Sequence, residues 1–212
     1  MLAIVLLVVG TTLSACSSAT SATTTTAGPA PSTTVGTSGS GQPSTGVTLS
    51  TSTPPWPLPA DAAPYIAAAG LQALSGETLQ VHYHAHLDIS DSGQPVALPA
   101  GVGFLIQNGQ EVALTSLHTH DTSGIIHIES ATDVPYTLGQ VFTEWGVRLT
   151  STQVGGLVAG NGYALDVAVD GSPFTGDPAT IVLRSHQEIA IWYGPVNAAP
   201  RLPSSYTFPQ GD

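Results

Sequence analysis

Polar and apolar residues alternate most strongly between Val81 and Ile89, and this alternation predicts a β-strand. Successive side chains of a strand point to opposite faces, so residues two apart share a face. One face then carries His82, His84, His86 and Asp88, and the other carries Val81, Tyr83, Ala85, Leu87 and Ile89. The pattern predicts a strand over residues 78–90 with histidines along one side.

A second alternating stretch, Leu117–Glu129, predicts a hairpin whose turn is Asp121–Gly124. Asp, Ser and Gly are typical turn residues. A four-residue loop would place His118 opposite His127, whereas a shift by one residue would send His127 to the other face. The first register gathers three imidazoles and a carboxylate on one side of the ribbon, namely His118, His120, His127 and Glu129.

The rest of the chain from residue 60 predicts short strands and two short helices. The first helix covers about 62–74 with Asp61 as its N-cap, and the second covers Thr137–Trp145 and ends at Gly146. The Asn108-Gly109 and Asp170-Gly171 pairs predict hairpin turns. The expected fold class is mainly β (α+β), an antiparallel sheet or barrel-like domain with two short helices, preceded by a disordered tether.

Charge divides the chain into two compositional regions. No charged residue precedes Asp61, and Ser17–Pro59 consists mostly of Ser, Thr, Gly, Pro and Ala. Such a segment has little apolar surface to bury, so it is expected to remain disordered. The predicted organisation is a signal segment at 1–15, a linker at 16–59 and a single globular domain at 60–212.

The N-terminal segment carries the features of an export signal. Leu2–Val9 is wholly apolar and too short to span a membrane. Leu13-Ser-Ala-Cys16 follows and resembles the lipobox of bacterial lipoproteins. The resemblance implies cleavage before Cys16, lipidation of Cys16 and anchoring to the outer face of the cell membrane. The alternative is an ordinary secretory signal that happens to contain a cysteine.

The net charge argues against some binding partners, and the scarcity of cysteine and methionine excludes some kinds of metal site. Fourteen acidic residues face three basic ones, giving a net charge of -11. This argues against electrostatic binding of nucleic acid or of an anionic lipid surface. Cys16 is the one cysteine and Met1 the one methionine. Blue-copper and other sulfur-ligated metal sites in the domain are therefore excluded, as is a disulfide.

The histidine pattern favours a transition-metal site. Two histidines two apart on a strand can bind one ion from the same side, and neutral imidazole suits Cu and Zn, with Fe or Mn possible when a carboxylate joins them. Asp121 is expected to close its turn or to orient His120 from the second shell, and His186 to lie exposed in a turn. The candidate ligands are His82, His84, His118, His120 and His127, with His86 and Glu129 weaker.

The second half of the pattern also resembles a set of uncharacterised secreted or anchored prokaryotic proteins. The resemblance covers about 81–194 and implies a shared fold, without assigning an activity. In that set the upstream His-x-His pair corresponds to His82 and His84, and His86 is variable. The residues that carry the resemblance are Leu117-His-Thr-His-Asp-Thr-Ser-Gly-Ile-Ile-His-Ile-Glu-Ser130, Tyr136-Thr-Leu-Gly139 and Trp145-Gly146.

Cupins also combine a His-x-His pair with a later Glu and His on an antiparallel barrel. This chain departs from their spacing, because Glu129 lies nine residues after His120. A cupin-like site is therefore only weakly indicated.

Three functions remain open at this point. The first is a lipoprotein that captures, buffers or delivers Cu or Zn. The second is a metal-dependent oxygenase or hydrolase with three histidine ligands and an open coordination position. The third is an interaction or scaffold module whose histidines only solvate a sheet face. A serine hydrolase is not supported, since the domain lacks a Gly-x-Ser-x-Gly motif.

Overall fold

The computed structural model describes residues 46–77 and 79–211. The chain divides into two units, residues 1–37 and 38–212, and every described residue belongs to the second. Cys16 and the predicted signal segment lie outside the described residues. The described part is mostly β-structure with two α-helices, as predicted.

The elements follow one another in a single series. The helices are α1 (Ala63–Ala68), α2 (Leu138–Trp145) and a 3-10 helix at Pro178–Thr180. The strands are β1 (Val81–Asp91), β2 (Gln94–Pro95), β3 (Phe104–Gln107), β4 (Gln110–Leu114), β5 (Leu117–His118), β6 (Ile125–Ser130), β7 (Leu149–Thr150), β8 (Gln153–Val154), β9 (Leu157–Val158), β10 (Tyr163–Val169), β11 (Ser172–Pro173) and β12 (Gln187–Pro195).

The main sheet is open and has the order β11-β10-β12-β1-β6-β5, with β2 added beside β1. Its pairs are antiparallel except that β1 runs parallel to β12. The barrel-like closure suggested by the sequence is absent from the described residues, because β5 and β11 end the sheet at opposite edges. Strands β3–β4 form a separate hairpin, and β7–β9 form a small second sheet.

Alternation along β1 separates a core face from a histidine face. On the core face, Ala85, Leu87 and Ile89 are at most 3% exposed. They belong to one apolar cluster with the inward residues of β5, β6, β12 and α2: Leu117, Ile126, Ile128, Ile189, Ile191, Leu138, Val141, Phe142 and Trp145. This packing fixes the register, because a slip by one residue would bury the polar side chains instead.

The helices differ from the prediction at their ends. Helix α1 stops at Ala68, well before residue 74, because Gly70 takes a left-handed conformation with φ of 71°. Ala62 is its N-cap, while the Asp61 side chain accepts a hydrogen bond from the Ala63 amide. Helix α2 begins one residue later than predicted and ends at Gly146, which is left-handed as expected of a C-cap.

Residues 46–59, which the composition assigned to the tether, pack on the domain. Trp56 is only 3% exposed, and its ring lies edge-on against Trp145 at 5.5 Å. The Trp145 indole donates to the Trp56 carbonyl at 2.9 Å, and the Ser50 amide donates to the Gly146 carbonyl at 2.7 Å. The domain therefore begins before residue 60. Composition missed this because one tryptophan provides most of the burial.

Helix α2 also buries a carboxyl group without a partner. Glu144 is 2% exposed, and neither of its oxygens has a hydrogen-bond partner among the described residues. It lies beside a cavity of about 60 Å³ lined by Gly103 and Phe104. The nearby Thr115 hydroxyl already donates to the Leu117 carbonyl. Burial raises the pKa of Glu144 well above its ordinary value, so the folded protein favours the neutral, protonated form of this carboxyl group.

We expect Glu144→Leu to stabilise the protein at alkaline pH by about 1–3 kcal/mol, the usual penalty for a buried polar group without a partner. Near pH 4 the glutamate is mostly protonated in both the folded and the unfolded protein, so the gain is smaller. As the pH rises, the unfolded chain loses this proton before the folded chain does, so the wild-type free energy of unfolding falls. Urea unfolding at pH 4 and pH 8 measures the difference.

The matched control is Glu111→Leu, at an exposed position on β4. It should leave the pH dependence unchanged, whereas Glu144→Gln should flatten it. A Glu144→Leu protein that unfolds at lower urea than wild type at both pH values would show that the carboxyl group contributes favourable contacts.

Candidate metal centre

Five histidines and two glutamates converge beside β1 and β6, and we call this group the histidine cluster. The pairing of β1 with β6 sets His82 opposite Glu129 and His84 opposite His127. The pairing of β5 with β6 sets His118 opposite His127, as the predicted hairpin register required. The cluster consists of His82 and His84 on β1, His118 at the end of β5, His120 in the turn, His127 and Glu129 on β6, and Glu77 in the loop before β1.

On the β1 side, three imidazoles share a small volume. His84 Nε2 lies 3.2 Å from His82 Nε2 and 2.9 Å from His127 Nδ1. Glu129 Oε1 lies 3.4 Å from His82 Nε2. Donor atoms of His82, His84 and His127 all fall within 4.8 Å of one another, a spacing that one ion could bridge with small side-chain movements.

On the β5 side, His118, His120 and His127 form a second group with donor atoms within 4.8 Å. The rings of His118 and His127 are stacked at 5.3 Å, and His120 stands edge-on to both. Glu77 Oε1 lies 3.9 Å from His120 Nε2. Strand β5 ends at His118, so His120 is placed by the turn and not by the strand pairing.

The His118 ring is oriented with a free donor atom toward the cluster. Its Nδ1 lies 2.9 Å from the Thr115 carbonyl, which can only accept a hydrogen bond, so Nδ1 carries the proton. Nε2 therefore holds the lone pair, and this buried atom has no hydrogen-bond partner among the described residues. A backbone carbonyl behind a histidine ring is the usual arrangement for fixing a metal ligand.

The surroundings of His118 and His127 lower the pKa values of both imidazoles. Burial lowers the pKa of His118 to about 4. Burial and the neighbouring His84 and His120 lower the pKa of His127 to about 3. Burial, together with the charge of Glu77, raises the pKa of Glu129. At neutral pH a metal ion would therefore not have to displace protons from His118 or His127.

One side of the histidine cluster is exposed to solvent and the other side is buried. His84, His118 and Glu129 are at most 5% exposed, whereas the side chains of His120 and His82 are 44% and 37% exposed. An open groove of about 740 Å³ runs beside His82 and is also lined by Asp133 and Arg184. An ion can therefore reach the cluster from solvent past the two exposed imidazoles.

His86 lies on the predicted face but outside the cluster. Its Nδ1 is 2.7 Å from Glu188 Oε2, and its Nε2 donates to the Ser123 carbonyl at 2.9 Å. Burial disfavours the imidazolium, but the hydrogen bond and charge of Glu188 outweigh this effect and raise the pKa of His86. Tyr206 stacks on the ring at 3.6 Å. Both ring nitrogens therefore have partners already, and the face of the ring packs against the C-terminal segment through Tyr206.

The remaining candidates have other positions. The Asp121 carboxylate accepts a hydrogen bond from the Ser123 amide at 2.8 Å, so it closes the turn, and no hydrogen bond joins it to His120 among the described contacts. His186 is exposed, as predicted, and stacks on Phe208. Cys16 lies outside the described residues, and its lipidation stays a prediction.

Sequence reasoning missed two carboxylates near the histidines. Glu77 comes from a loop without periodicity, so nothing in the local pattern placed it beside His120. Glu188 reaches His86 through the parallel pairing of β1 with β12, which joins distant parts of the chain. Glu129, a weaker candidate in the sequence, is only 5% exposed and lies at the centre of the cluster.

Comparison with known proteins adds no assignment. No protein-family model matches the chain, and no curated protein or solved structure is significantly similar to it. The interpretation of the cluster therefore depends on its geometry and on the chemistry of its donor atoms.

Proposed function

We propose that this protein is an extracytoplasmic lipoprotein that binds Cu(II) or Zn(II) at the histidine cluster to capture, buffer or deliver the metal. The observation that carries the proposal is the His118 ring. Its buried Nε2 has no hydrogen-bond partner among the described residues, and His118 is grouped with two other imidazoles, His120 and His127, and with two carboxylates, Glu77 and Glu129. Burying a nitrogen lone pair without a hydrogen-bond partner costs free energy, and a metal ion bound to Nε2 would remove that cost.

The donor set supports Cu(II) or Zn(II) among the divalent metals. Imidazole nitrogen is a good ligand for both, and affinity at nitrogen and oxygen sites rises toward Cu(II). The two glutamates also permit Fe or Mn. No sulfur donor occurs in the described part of the chain, which has neither cysteine nor methionine.

The localisation part of the proposal is supported by the N-terminal sequence. The apolar run Leu2–Val9 followed by Leu13-Ser-Ala-Cys16 resembles a lipoprotein signal. Lipid on Cys16 would hold the metal-binding domain at the outer face of the membrane. In the described residues, no helix has the length and apolar character needed to cross a membrane.

A metal-dependent enzyme is the second candidate, because the partly exposed His82 borders the open groove. A substrate could approach an ion from that side. The scaffold alternative is less well supported, since a solvated sheet face would not bury His84 and His118 at 2% and 1% exposure.

Metal content measured by mass spectrometry tests the proposal. The purified protein is exposed to Cu, Zn, Mn and Fe and then freed of unbound metal. We expect tightly held Cu or Zn in the wild type and loss of at least half of it in His118→Ala/His120→Ala. The matched control is His186→Asn, which removes the exposed histidine outside the cluster and suits its positive φ of 56°. Wild-type protein that retains no metal would overturn the proposal.

A further inference from the structure

The histidine cluster contains more donor groups than one ion requires. A four-coordinate Zn(II) or Cu(II) ion is satisfied by three or four side chains. The cluster supplies seven, five imidazoles and two carboxylates, and they do not surround one common centre. Their donor atoms instead form separate groups within 4.8 Å, joined through His118, His127 and Glu129.

The first group lies between β1 and β6 and consists of three imidazoles, those of His82, His84 and His127. His84 Nε2 is close to both other ligands, at 3.2 Å from His82 and 2.9 Å from His127. All three residues lie on the paired strands β1 and β6, which fixes their backbone separation before any metal arrives.

The second group lies on the other side of His127, between the β5–β6 turn and the loop before β1. His118 is common to two sets here, one with His120 and His127 and one with Glu77 and Glu129. Glu77 Oε1 is also 3.9 Å from His120 Nε2. With His127 counted in the first group, this group offers the imidazoles of His118 and His120 and the carboxylate of Glu77, and the Nε2 of His118 has no hydrogen-bond partner among the described residues.

Glu129 lies between the two groups. Its Oε1 is 3.4 Å from His82 Nε2, 3.7 Å from His127 Nδ1 and 3.9 Å from His118 Nε2. Its Oε2 is buried and has no hydrogen-bond partner among the described residues. A carboxylate with two oxygens can bind one ion with each, which is the usual role of a glutamate in carboxylate-bridged dinuclear centres.

We propose that the histidine cluster is a dinuclear centre, with one ion on His82, His84 and His127, a second on His118, His120 and Glu77, and Glu129 bridging them. This inference rests on the proposed metal binding and extends it to a second site. The two sites differ in chemistry. Three imidazole nitrogens favour Cu(II) or Zn(II), whereas two imidazoles with carboxylates also accept Zn(II), Mn(II) or Fe(II).

A stoichiometry measurement tests the second site. The full chain carrying Cys16→Ser, so that the thiol cannot bind metal, is freed of metal and titrated with Zn(II), and bound metal is counted after removal of excess. We expect two equivalents. Glu77→Gln/His120→Ala should retain one, and so should His82→Ala. These three side chains are about 40% exposed, so their loss should not disturb the fold. Glu111→Gln, an exposed glutamate outside the cluster, should keep two.

Cu(II) and electron paramagnetic resonance test the bridge. With two Cu(II) bound, magnetic coupling through Glu129 should reduce the integrated signal below that of two isolated ions. The Glu77→Gln/His120→Ala protein should give the full signal of one ion. Two full, uncoupled signals in the unsubstituted cluster would overturn the bridging role.

The failures of the two proposals are distinguishable. One equivalent of Zn(II) in the unsubstituted cluster would overturn the second site and leave the proposed function standing. No bound metal would overturn both. Two equivalents that persist in Glu77→Gln/His120→Ala would overturn the assignment of the second site to these residues.

Discussion

Binding of Cu(II) or Zn(II) to the histidine cluster is expected to raise the free energy of unfolding by about 4 kcal/mol for each bound ion when the free metal is 1,000 times its dissociation constant. The reason is that the ligands come from β1, β5, β6 and the turn between the last two, so the site exists only in the folded chain. Thermal or urea unfolding with added metal, and again after addition of EDTA, measures this difference.

The variants separate the cluster from metal binding elsewhere. His118→Ala/His120→Ala should lose at least half of the metal-dependent stabilisation, and His186→Asn should keep it. Equal stabilisation of both variants would place the metal outside the cluster.

The pH dependence of the same measurement follows from the buried imidazoles. A free histidine is largely protonated at pH 5, since its pKa is near 6.5. The pKa values of about 4 for His118 and about 3 for His127 keep these two rings neutral there. Protons therefore compete with metal at these positions only at lower pH. We expect part of the metal-dependent stabilisation to remain at pH 5. Complete loss by pH 6 would contradict the lowered pKa values.

The central part of the cluster was predictable because local periodicity determines it. Alternation along β1 places His82 and His84 on one face, and the hairpin turn sets His118 opposite His127. In both strands the opposite face is strongly apolar, so the register has little freedom. The predicted sharing of one face by His118, His127 and Glu129 follows from the same constraint.

The rest of the cluster depends on contacts that periodicity does not encode. His86 has the same alternation as His84, yet Glu188 from the parallel strand β12 and Tyr206 from the C-terminal segment occupy its surroundings. Glu77 belongs to an irregular loop beside His120. Which histidines meet a partner depends on the order of strands in the sheet, and local sequence does not determine that order.

The beginning of the domain was misplaced for a related reason. Composition averages over a window, and residues 46–59 are dominated by Ser, Thr and Pro. Burial of Trp56 against Trp145 is a single-residue event within that window. The hydrogen bonds of Ser50 with Gly146 and Arg148 then hold the segment along the end of α2.

Trp56→Ala is expected to lower the free energy of unfolding by about 3–5 kcal/mol, the range for deleting a large buried aromatic side chain. The ring is 3% exposed, and its indole N–H donates to the Ser52 carbonyl at 2.7 Å. Its loss would also expose the edge of Trp145, which belongs to the main core. Urea unfolding monitored by circular dichroism measures the change independently of tryptophan fluorescence.

Thr53→Ala is the matched control, because Thr53 is exposed in the same segment and its substitution should change the free energy of unfolding by less than about 0.5 kcal/mol.

A pair of truncated chains gives a second measurement. The chain that starts at residue 46 should approach the stability of the full chain, and the chain that starts at residue 60 should lose at least as much stability as Trp56→Ala. If the chain from residue 60 is as stable as the chain from residue 46, the packing of residues 46–59 contributes nothing to the fold. The tether would then extend to residue 59, as composition suggested. If the shorter chain loses stability as expected, metal-binding experiments on an isolated domain must begin at residue 46, since β6 and α2 share one core and any loosening around Trp145 would also reach the strands that carry the ligands.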